Sequence, residues 1–317
     1  MTMHVVSLGD LVVDLIAPIK LPVMPFDHQE SGGAVPEPGG SGNFMILGAR
    51  LGMQVSSIGT VGDDLFGRFL CDNLSSEGVN IAGIVRVPDA NSTLVLDLID
   101  RESGQHVFIG SSSKAAPVEY TPLMNEIIGS AGAVFLQGYT LLEKANTIIT
   151  PKAIDAAKQR GIPVYFDVGP TVRHTAIEEL DKVIQQTDVV MMTEDEVPLA
   201  AHGQSGKSAY EWLLSQGPHT LVVKQGKRGC TIVQSDGHQA VPGFAVPVVD
   251  TVGAGDCFDA AFIYARLAGQ GWVDTARFAN AIGAASVQKL GAGRNVPTCE
   301  EMNAVFQQNG VWNPLSC

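Results

Sequence analysis

The stretch VDTVGAGDCFDAAF, at Val249–Phe262, places three residues with almost no side chain directly before a carboxylate. The apolar residues after Asp256 recur at the spacing of one buried helical face, so Asp256 is predicted to lie at or near a helix N-terminus. The first backbone N–H groups of a helix lack partners and mark the positive end of its dipole. With only Gly253, Ala254 and Gly255 in the way, a phosphoryl group could approach such amides closely.

The carboxylate of Asp256 beside this anion site suits the task of orienting and deprotonating an attacking hydroxyl group. Its ordinary pKa of about 3.9 makes it a weak base, and we expect the helix N-terminus to keep it ionised. Phosphoryl transfer tolerates a weak base because its transition state demands mainly alignment and charge stabilisation. The alternative interpretation is that Asp256 only caps the helix.

The composition is that of a globular protein with ample material for a core, since 45% of the 317 residues are hydrophobic and 17% are charged. The net charge is −13, from 20 basic and 33 acidic residues. A nucleic-acid or anionic membrane surface normally requires a basic face. We therefore expect neither partner, whereas an anionic small molecule held by a few local donors is compatible with this charge.

The five cysteines are odd in number and scattered, and no CxxC occurs, so we expect free thiols and no zinc site. The N-terminus MTMHVVSLGDLVVDLIAP lacks a basic region and contains Asp10 and Asp14, which favours a first strand over a signal peptide. No apolar stretch approaches the roughly 18 residues of a membrane span. These features predict a cytoplasmic protein.

Short strand-like runs alternate with helix-like ones along the chain. Helical spacing is visible at residues 42–52, 64–78 and 148–160, and strand-like segments include GAVFLQG, IPVYFDV, DVVMMT and HTLVVKQG. Strands that are apolar on both faces suit a parallel sheet covered by helices on either side. We therefore predict a three-layer α/β/α fold with a mostly parallel central sheet, formed as a single domain by residues 1–317.

Two early regions break this alternation. Strands of a small β lid are expected from about residues 15–40, a segment rich in Pro and Gly, and from about residues 91–112, where DRESG predicts a hairpin turn. Ordinary surface loops are the alternative interpretation of both regions.

Two motifs resemble the signatures of the ribokinase-like (PfkB) carbohydrate kinase family. DTVGAGDCFDAAF resembles the C-terminal signature, and GGSGNFMILGARLGMQVSSIGTVGDDLFGRFL, at Gly39–Leu70, resembles the N-terminal one. Their order and the strands between them extend the resemblance over nearly the whole chain. It implies that Asp256 is the base and that residues 253–255 form the anion hole.

The resemblance also implies a sugar site and a lid. GDLVVDLI is similar to the family's first-strand motif, so Asp14 is expected to accept hydrogen bonds from sugar hydroxyls, with Gly39, Gly40 and Asn43 lining the same pocket. Taken alone, Asp14 could also be a carboxylate in solvent at a strand end. Lids of this family often form dimer contacts, so a homodimer through the lid is expected.

For ATP, the resemblance points to five residues, several of them in VVKQGKRGC and FANAIGAAS: Lys224, Gly226, Gly229, Asn280 and Arg173. Lys224 would reach a phosphate, and the two glycines would let the backbone approach the nucleotide. GKRG alone is equally typical of a hairpin turn, and Asn280 alone of a buried polar helix residue.

Two kinds of metal ion are implied in the same way. MMTEDEV lies where the family commonly has an asparagine three residues before a glutamate; Thr193 replaces the asparagine, and Glu196 is retained. Glu196 is expected to serve Mg²⁺ through water, because Mg²⁺ keeps several of its water ligands. The alternative is that this acidic residue only opens a helix. Asp250 and Thr251 match the part of the pattern that in some members binds a monovalent cation such as K⁺.

Together these features predict an ATP-dependent phosphotransferase acting on a hydroxyl group of a sugar or sugar acid, similar to ribokinase, fructokinase or 2-keto-3-deoxygluconate kinase. A nucleoside kinase shares the same fold and signatures and is one alternative. A non-catalytic sugar-sensing protein is another, although such a protein has no need of the base in GAGD.

Overall fold

The computed structural model describes residues 2–103 and 105–314. Within these ranges the strands are β1 (His4–Leu8), β2 (Leu11–Ile19), β3 (Val35–Gly40), β4 (Gln54–Gly62), β5 (Asn80–Val87), β6 (Thr93–Asp100), β7 (His106–Ser111), β8 (Ala133–Gln137), β9 (Val164–Asp167), β10 (Val189–Thr193), β11 (Thr220–Lys224), β12 (Gly229–Gln234) and β13 (Gly237–Pro242).

The α-helices in the same ranges are α1 (Ser41–Arg50), α2 (Leu65–Ser76), α3 (Pro122–Gly129), α4 (Ile149–Gln159), α5 (Ile177–Ile184), α6 (Val197–Ala200), α7 (Gly206–Gln216), α8 (Ala254–Leu267), α9 (Trp272–Ser286) and α10 (Cys299–Asn309). The helices predicted near residues 42–52, 64–78 and 148–160 are confirmed as α1, α2 and α4.

The main sheet has nine strands in the order β13-β12-β11-β10-β9-β8-β1-β4-β5. The strands from β11 to β5 along this order run parallel, and β12 and β13 are antiparallel additions at one edge. The four apolar runs predicted as buried strands are confirmed as β8, β9, β10 and β11. The predicted α/β architecture is therefore confirmed.

Alternate residues of each parallel strand point to opposite faces of the sheet, and both faces are covered. Val5 and Phe135 belong to one apolar core, which includes residues of α1, α8 and α9. Val6 and Leu136, their sequence neighbours, belong to a second core, which includes residues of α3, α4 and α7. Phe44 of α1 stacks on Phe135 at a centroid distance of 4.0 Å. The protein is thus a three-layer α/β/α sandwich.

A second sheet has four strands in the order β3-β2-β6-β7. The hairpin predicted around DRESG is confirmed as the antiparallel pair of β6 and β7. The N-terminal run expected as one first strand is instead divided between the two sheets. Gly9 (φ 68°) and Asp10 (φ 50°) both have left-handed backbone conformations, which turn the chain out of the main sheet after β1.

Cysteine chemistry matches the expectation only in part. Cys71, Cys230 and Cys257 are free, buried thiols. Cys299 is disulfide-bonded, which the scattered spacing of the cysteines did not predict. Over the described residues, no helix combines the length and apolar character needed to cross a bilayer.

Candidate active site

The candidate site lies where the parallel strands of the main sheet end. β1 pairs with β4 on one side and with β8 on the other, so the direction in which the chain adds strands reverses between β1 and β8. In open α/β sheets, ligands bind outside the carboxyl ends of the strands at such a switch point. Asp10 follows β1 there, and Tyr139 follows β8.

The helix predicted after the glycine stretch begins at Ala254, with Gly253 as its N-cap in a left-handed conformation (φ 73°). The amide of Ala254 already donates to the carbonyl of Thr251 at 3.2 Å. The amides of Gly253, Gly255 and Asp256 donate to no group among the described residues. Three backbone donors are therefore free to bind an anion at the N-terminus of α8.

The side chain of Asp256 does not cap α8 but reaches across to two other elements. Its Oδ2 accepts a hydrogen bond from Nδ2 of Asn43 on α1 at 2.8 Å. Its Oδ1 accepts one from Nε2 of Gln137, the last residue of β8, at 2.5 Å. The carboxylate is therefore fixed in orientation by two amide donors, next to the free backbone amides.

Burial raises the pKa of Asp256 to about 6, and the hydrogen bond from Asn43 works in the opposite direction. The carboxylate of Asp167 raises the pKa further, whereas the ammonium of Lys224 lowers it. The expectation that the helix N-terminus alone would keep the pKa ordinary is wrong, because desolvation outweighs the helix dipole. Asp256 is consequently a stronger base than the sequence indicated.

The two amides that hold Asp256 differ in whether their own oxygen atoms accept a hydrogen bond. Asn43 is 2% exposed, and its Oδ1 accepts a hydrogen bond from the amide of Gly293 at 2.6 Å. Both ends of the Asn43 amide are thus hydrogen-bonded, one of them to Asp256. Gln137 is 4% exposed, and its Oε1 is buried with no partner among the described residues.

Two glycines of β3 make room for two carboxylates of the neighbouring segment. A Cβ atom on Gly39 would lie 2.1 Å from Oδ2 of Asp14, and one on Gly40 would lie 2.2 Å from Oδ2 of Asp10. Asp10 also accepts a hydrogen bond from the amide of Ser41 at 3.2 Å. The glycines predicted to line the sugar pocket therefore pack directly against acidic side chains.

These carboxylates lie in an environment without a counter-charge. Burial raises the pKa of Asp10 to about 7, and Asp256 adds to this effect. Burial raises the pKa of Asp14 to about 8, with further contributions from the carboxylates of Asp10, Asp97 and Asp256. No Lys, Arg or His among the described residues forms an ion pair with Asp10 or Asp14.

Tyr139, in the turn after β8, belongs to the same cluster. Although the residue is 41% exposed, partial desolvation raises the pKa of its hydroxyl, and the carboxylates of Asp10 and Asp256 raise it further. The phenol is therefore a neutral hydrogen-bond donor and acceptor beside acidic groups. A compound rich in hydroxyl groups could form hydrogen bonds with this cluster.

Lys224, expected to reach a phosphate, is held by two carboxylates. Its Nζ lies 2.8 Å from Oδ1 of Asp167 and 3.2 Å from each carboxylate oxygen of Asp259. Burial works to lower the pKa of Lys224, but the two carboxylates outweigh it and raise the pKa above its ordinary value. A Cβ atom on Gly255 would lie 3.5 Å from this Nζ, so the fixed cation lies beside the free amides of α8.

Glu196, expected near Mg²⁺, is 6% exposed at the end of the turn that follows β10. Its Oε2 accepts a hydrogen bond from the amide of Thr193 at 2.7 Å. Burial raises the pKa of Glu196, and the carboxylate of Asp167 adds to this effect. A divalent cation between these acidic groups and bound phosphates would relieve their repulsion, which fits Mg²⁺.

The remaining nucleotide candidates are distributed more widely. Gly226 (φ 55°) begins the turn between β11 and β12, and Gly229 (φ 95°) follows it. Nδ2 of Asn280 donates to the carbonyl groups of Val241 and Pro242 at the end of β13. Arg173 is exposed, and its side chain forms no hydrogen bond or ion pair with the described residues.

Asp250, expected beside a monovalent cation, is 6% exposed, and both of its carboxylate oxygens are already bonded. Oδ1 accepts from the amide of Val252 at 3.1 Å and lies 3.2 Å from Nε2 of His106, and Oδ2 accepts from the amide of Gly291 at 2.8 Å. Thr251 is exposed. The carboxylate of Asp250 therefore organises the loop before the anion site.

Comparison with known families decides the identity of this arrangement. The family model described as pfkB family carbohydrate kinase matches residues 2–299. The chain belongs to the pfkB family of carbohydrate kinases. It is a kinase that transfers a phosphoryl group to a carbohydrate hydroxyl, and membership implies the use of ATP and Mg²⁺.

Relatives of this pfkB kinase include enzymes named for different sugars. Fructokinase-1 of Zea mays is 28% identical over 324 residues, covering 96% of this chain and 98% of the relative. A 5-dehydro-2-deoxygluconokinase of Clostridium perfringens is 25% identical over 285 residues, covering 85% and 83%. The structure of Arabidopsis thaliana ribokinase complexed with ribose and ATP has a TM-score of 0.82 at 23% identity, covering 97% and 99%, and shows that the fold is shared.

Several residues of the candidate site were not found by sequence reasoning. Asp10, Gln137, Tyr139, Asp167 and Asp259 all contribute to it, and four of them lie at or just after the carboxyl end of a parallel strand. That position was a usable signal, because side chains at the ends of adjacent parallel strands meet at one edge of the sheet. Asp259 lies one turn after Asp256 on α8, where helical periodicity indicated only a buried face.

Proposed function

We propose that this kinase phosphorylates a hydroxyl group of a sugar or sugar acid with Asp256 as the general base. One observation carries the proposal: a carboxylate oriented by two amide donors lies beside three unpaired backbone amides at the N-terminus of α8. A base and an anion site in this relation suit in-line transfer of a phosphoryl group to an activated hydroxyl.

In the proposed reaction, Asp256 accepts the proton of the attacking sugar hydroxyl while the hydroxyl oxygen bonds to the γ-phosphorus of ATP. The bond between the γ-phosphorus and the β,γ-bridging oxygen breaks, and ADP leaves. The amides of Gly253, Gly255 and Asp256 stabilise the negative charge that develops. Each well-placed donor of this kind is worth roughly 2.7–4 kcal/mol in a transition state. The raised pKa of Asp256 brings its basicity closer to what neutral pH requires.

Among possible acceptors, we propose an uncharged sugar ahead of a sugar acid. Besides burial, which is the largest cause, the pKa of Asp14 is raised by the carboxylates of Asp10, Asp97 and Asp256. An acceptor with its own carboxylate would add a further negative charge to this cluster, whereas neutral hydroxyls can donate hydrogen bonds to it. The relatives carry names of both kinds, fructokinase and 5-dehydro-2-deoxygluconokinase, so the preference rests on the charge of the cluster alone.

On the nucleotide side, we propose that Lys224 acts as a fixed positive charge beside the phosphates. Glu196, with Asp167 next to it, would hold Mg²⁺ through its oxygen atoms and through water. When bound, the metal ion would neutralise phosphate charge. The family resemblance supports four further residues as proposed contacts of ATP: Gly226, Gly229, Asn280 and Arg173.

The test is ATP turnover against a panel of neutral sugars and matched sugar acids, with the wild type and Asp256→Asn. The variant is expected to lose about 10²–10⁴-fold in kcat, as is typical when a general base is removed. Asp274→Asn is the matched control, because Asp274 is also the third residue of a helix that follows an N-cap glycine. If Asp256→Asn retains wild-type activity, the assigned role is wrong.

A nucleoside kinase is the main alternative, and a non-catalytic sugar-binding protein is another. A thermal-shift screen of sugars against nucleosides separates the first, because stabilisation by nucleosides alone would overturn the preference for sugars. Tight sugar binding without turnover of ATP by any panel member would favour the second.

Activation by K⁺ beside Asp250 and Thr251 is a separate proposal. It predicts a higher rate in K⁺ than in tetramethylammonium at equal ionic strength. Equal rates in the two salts would exclude activation by K⁺. Both carboxylate oxygens of Asp250 already accept hydrogen bonds, so a cation would have to share them.

We also propose a cytoplasmic homodimer that associates through the four-stranded sheet, which would act as a lid over the substrates. Val107, Phe108 and Ile109 of its edge strand β7 are between 41% and 59% exposed, although they are apolar. Edge strands with apolar side chains favour pairing with another chain. Sedimentation of the purified protein would reveal a monomer if this proposal is wrong.

A further inference from the structure

His106, the first residue of β7, connects the small sheet to the loop before the anion site. Its Nδ1 lies 2.9 Å from Oδ1 of Asp97 on β6, and its Nε2 lies 3.2 Å from Oδ1 of Asp250. The imidazole is 16% exposed, and the two carboxylate side chains are each 2% exposed. Both ring nitrogens therefore face a buried acidic group in a site that excludes most water.

The two carboxylates belong to different parts of the active site. Asp97 of β6 pairs with Ile16 of β2, two residues along that strand from Asp14, and its carboxylate contributes to raising the pKa of Asp14. Asp97 therefore lies on the proposed sugar side. Asp250 accepts hydrogen bonds from the amides of Val252 and Gly291, so it fixes the backbone immediately before Gly253. A single side chain of the small sheet thus spans from the sugar side to the anion loop.

Besides the two acids, the imidazole of His106 contacts an aromatic ring. The ring of Phe108, on the same face of β7, stacks on the imidazole with a centroid distance of 5.6 Å and an interplanar angle of 9°. No other ion pair of His106 occurs with the described residues. The bridge is therefore directed by two hydrogen bonds and one stacking contact.

Resting on the proposed function, we propose that His106 is a positioning residue that couples the sugar side of the pocket to the anion loop. A rearrangement of the small sheet on sugar binding would move β6 and β7, and the bond to Asp250 would transmit it to the backbone that holds the phosphoryl group. Linkage requires the converse as well: ordering of the anion loop by nucleotide favours the arrangement that binds sugar.

The first experiment measures sugar affinity by equilibrium binding with and without Mg²⁺ and the non-hydrolysable nucleotide adenylyl imidodiphosphate, using the sugar that gives turnover in the panel. In the wild type the nucleotide is expected to raise sugar affinity about 5-fold or more, the lower end of typical couplings. His106→Phe keeps an aromatic ring beside Phe108 but loses both hydrogen bonds. In this variant the ratio of sugar affinities with and without nucleotide should fall close to one.

His106→Gln, which keeps an amide donor, should restore part of the coupling. His238→Phe is the matched control, since His238 is an exposed histidine on the edge strand β13 and its side chain forms no hydrogen bond with the described residues. The melting temperatures of all variants report on folding. Unchanged coupling in His106→Phe would overturn the inference while leaving the proposed kinase function intact.

A second measurement does not depend on the sugar. Adenylyl imidodiphosphate with Mg²⁺ should shift the ring ¹⁵N resonances of His106, and the shift should shrink in Asp250→Asn, which weakens the bond to the imidazole. Resonances that do not respond to nucleotide in the wild type would contradict the bridge as a route of coupling. Failure of the proposed function is distinct, since it appears as absence of turnover by the wild type with every panel member.

Discussion

At the scale of single residues, Asp256 is subject to opposing influences that set its basicity. Burial raises its pKa to about 6, whereas the hydrogen bonds from Asn43 and Gln137 stabilise the ionised form. The result is a carboxylate that is basic enough to assist a hydroxyl yet ionised near neutral pH. Small changes in its amide partners should therefore move the pH at which it works.

Asn43→Ala is predicted to shift the acid limb of the kcat/KM profile to higher pH. In the wild type, the hydrogen bond donated by Nδ2 of Asn43 lowers the pKa of Asp256. Without this donor the pKa of Asp256 rises, and the base becomes protonated at a higher pH. A hydrogen bond to a charged group is worth about 1.5–3 kcal/mol, which corresponds to a shift of roughly one pH unit or more. The measurement is kcat/KM for sugar as a function of pH.

The control for this prediction is Asn73→Ala, because Nδ2 of Asn73 donates to a backbone carbonyl within α2, in another part of the protein. That variant should retain the wild-type pH profile. An acid limb of Asn43→Ala that coincides with the wild-type limb would show that Asn43 does not tune Asp256.

At the scale of secondary-structure elements, β3 has to pass close to the acidic residues of the neighbouring segment. Gly39→Ala is predicted to raise KM for sugar about tenfold or more with little change in KM for ATP. A Cβ atom there would lie within 2.4 Å of three atoms of the Asp14 carboxyl group, so this side chain must turn away. A loss of about 1.4 kcal/mol in binding corresponds to that factor of ten.

Gly110→Ala provides the matched comparison, since Gly110 lies on β7 of the same small sheet and an added Cβ atom meets nothing within 4 Å. Its KM for sugar should stay near the wild-type value. An equal effect of the two alanines would indicate a general loss of lid structure instead of a displaced Asp14.

Lys224 ties three elements together, because its ammonium on β11 contacts Asp167 of β9 and Asp259 of α8. Lys224→Met is predicted to lower the free energy of unfolding by about 3–5 kcal/mol, the usual cost of leaving buried charges without their partner. Urea unfolding measures this loss. Lys182→Met, which removes an exposed pair with Glu179, should cost less than about 1 kcal/mol, and equal losses would contradict the assigned burial.

The alternation of strands and helices was predictable from the sequence because apolar periodicity is a local property. The assembly of the site was less so. Asn43 and Gln137 are separated from Asp256 by 213 and 119 residues along the chain, and only the folded sheet brings them to its carboxylate. The raised pKa of Asp256 could not be predicted either, because desolvation depends on every element packed around it.

The two sequence signatures pointed to Asp256, Asp14 and the glycines around them because these residues carry local patterns. Asp10 gave no comparable pattern, and its left-handed backbone is visible only in the structure. Lys224 was found by its motif, but the two acids that hold it come from elements that are distant in sequence. Chemistry shared between distant elements therefore set the limit of what the sequence could predict.

At the scale of the whole molecule, the acidic cluster makes stability depend on pH. The pKa of Asp10 is raised to about 7 in the folded protein, so the folded state binds this proton more tightly than the unfolded chain does. The free energy of unfolding should therefore fall as pH rises from about 4 to about 7. Asp10→Asn should remove part of this fall, by on the order of 1 kcal/mol or more.

Chemical denaturation of Asp10→Asn and the wild type across this pH range tests the sign. The exposed turn substitution Asp236→Asn is the control and should follow the wild type. If the wild type does not lose stability relative to Asp10→Asn as pH rises, burial of Asp10 carries no energetic cost.

The left-handed turn at Gly9 and Asp10 determines which side chains of β2 point to each face of the small sheet. Successive side chains of a strand point to opposite faces, so one residue inserted between Asp10 and Leu11 would invert β2 from end to end. Val13 would then occupy the place of Asp14 next to Gly39. A change in chain length of a single residue at this corner would thus remove the acidic group from the pocket without altering any residue of the pocket itself.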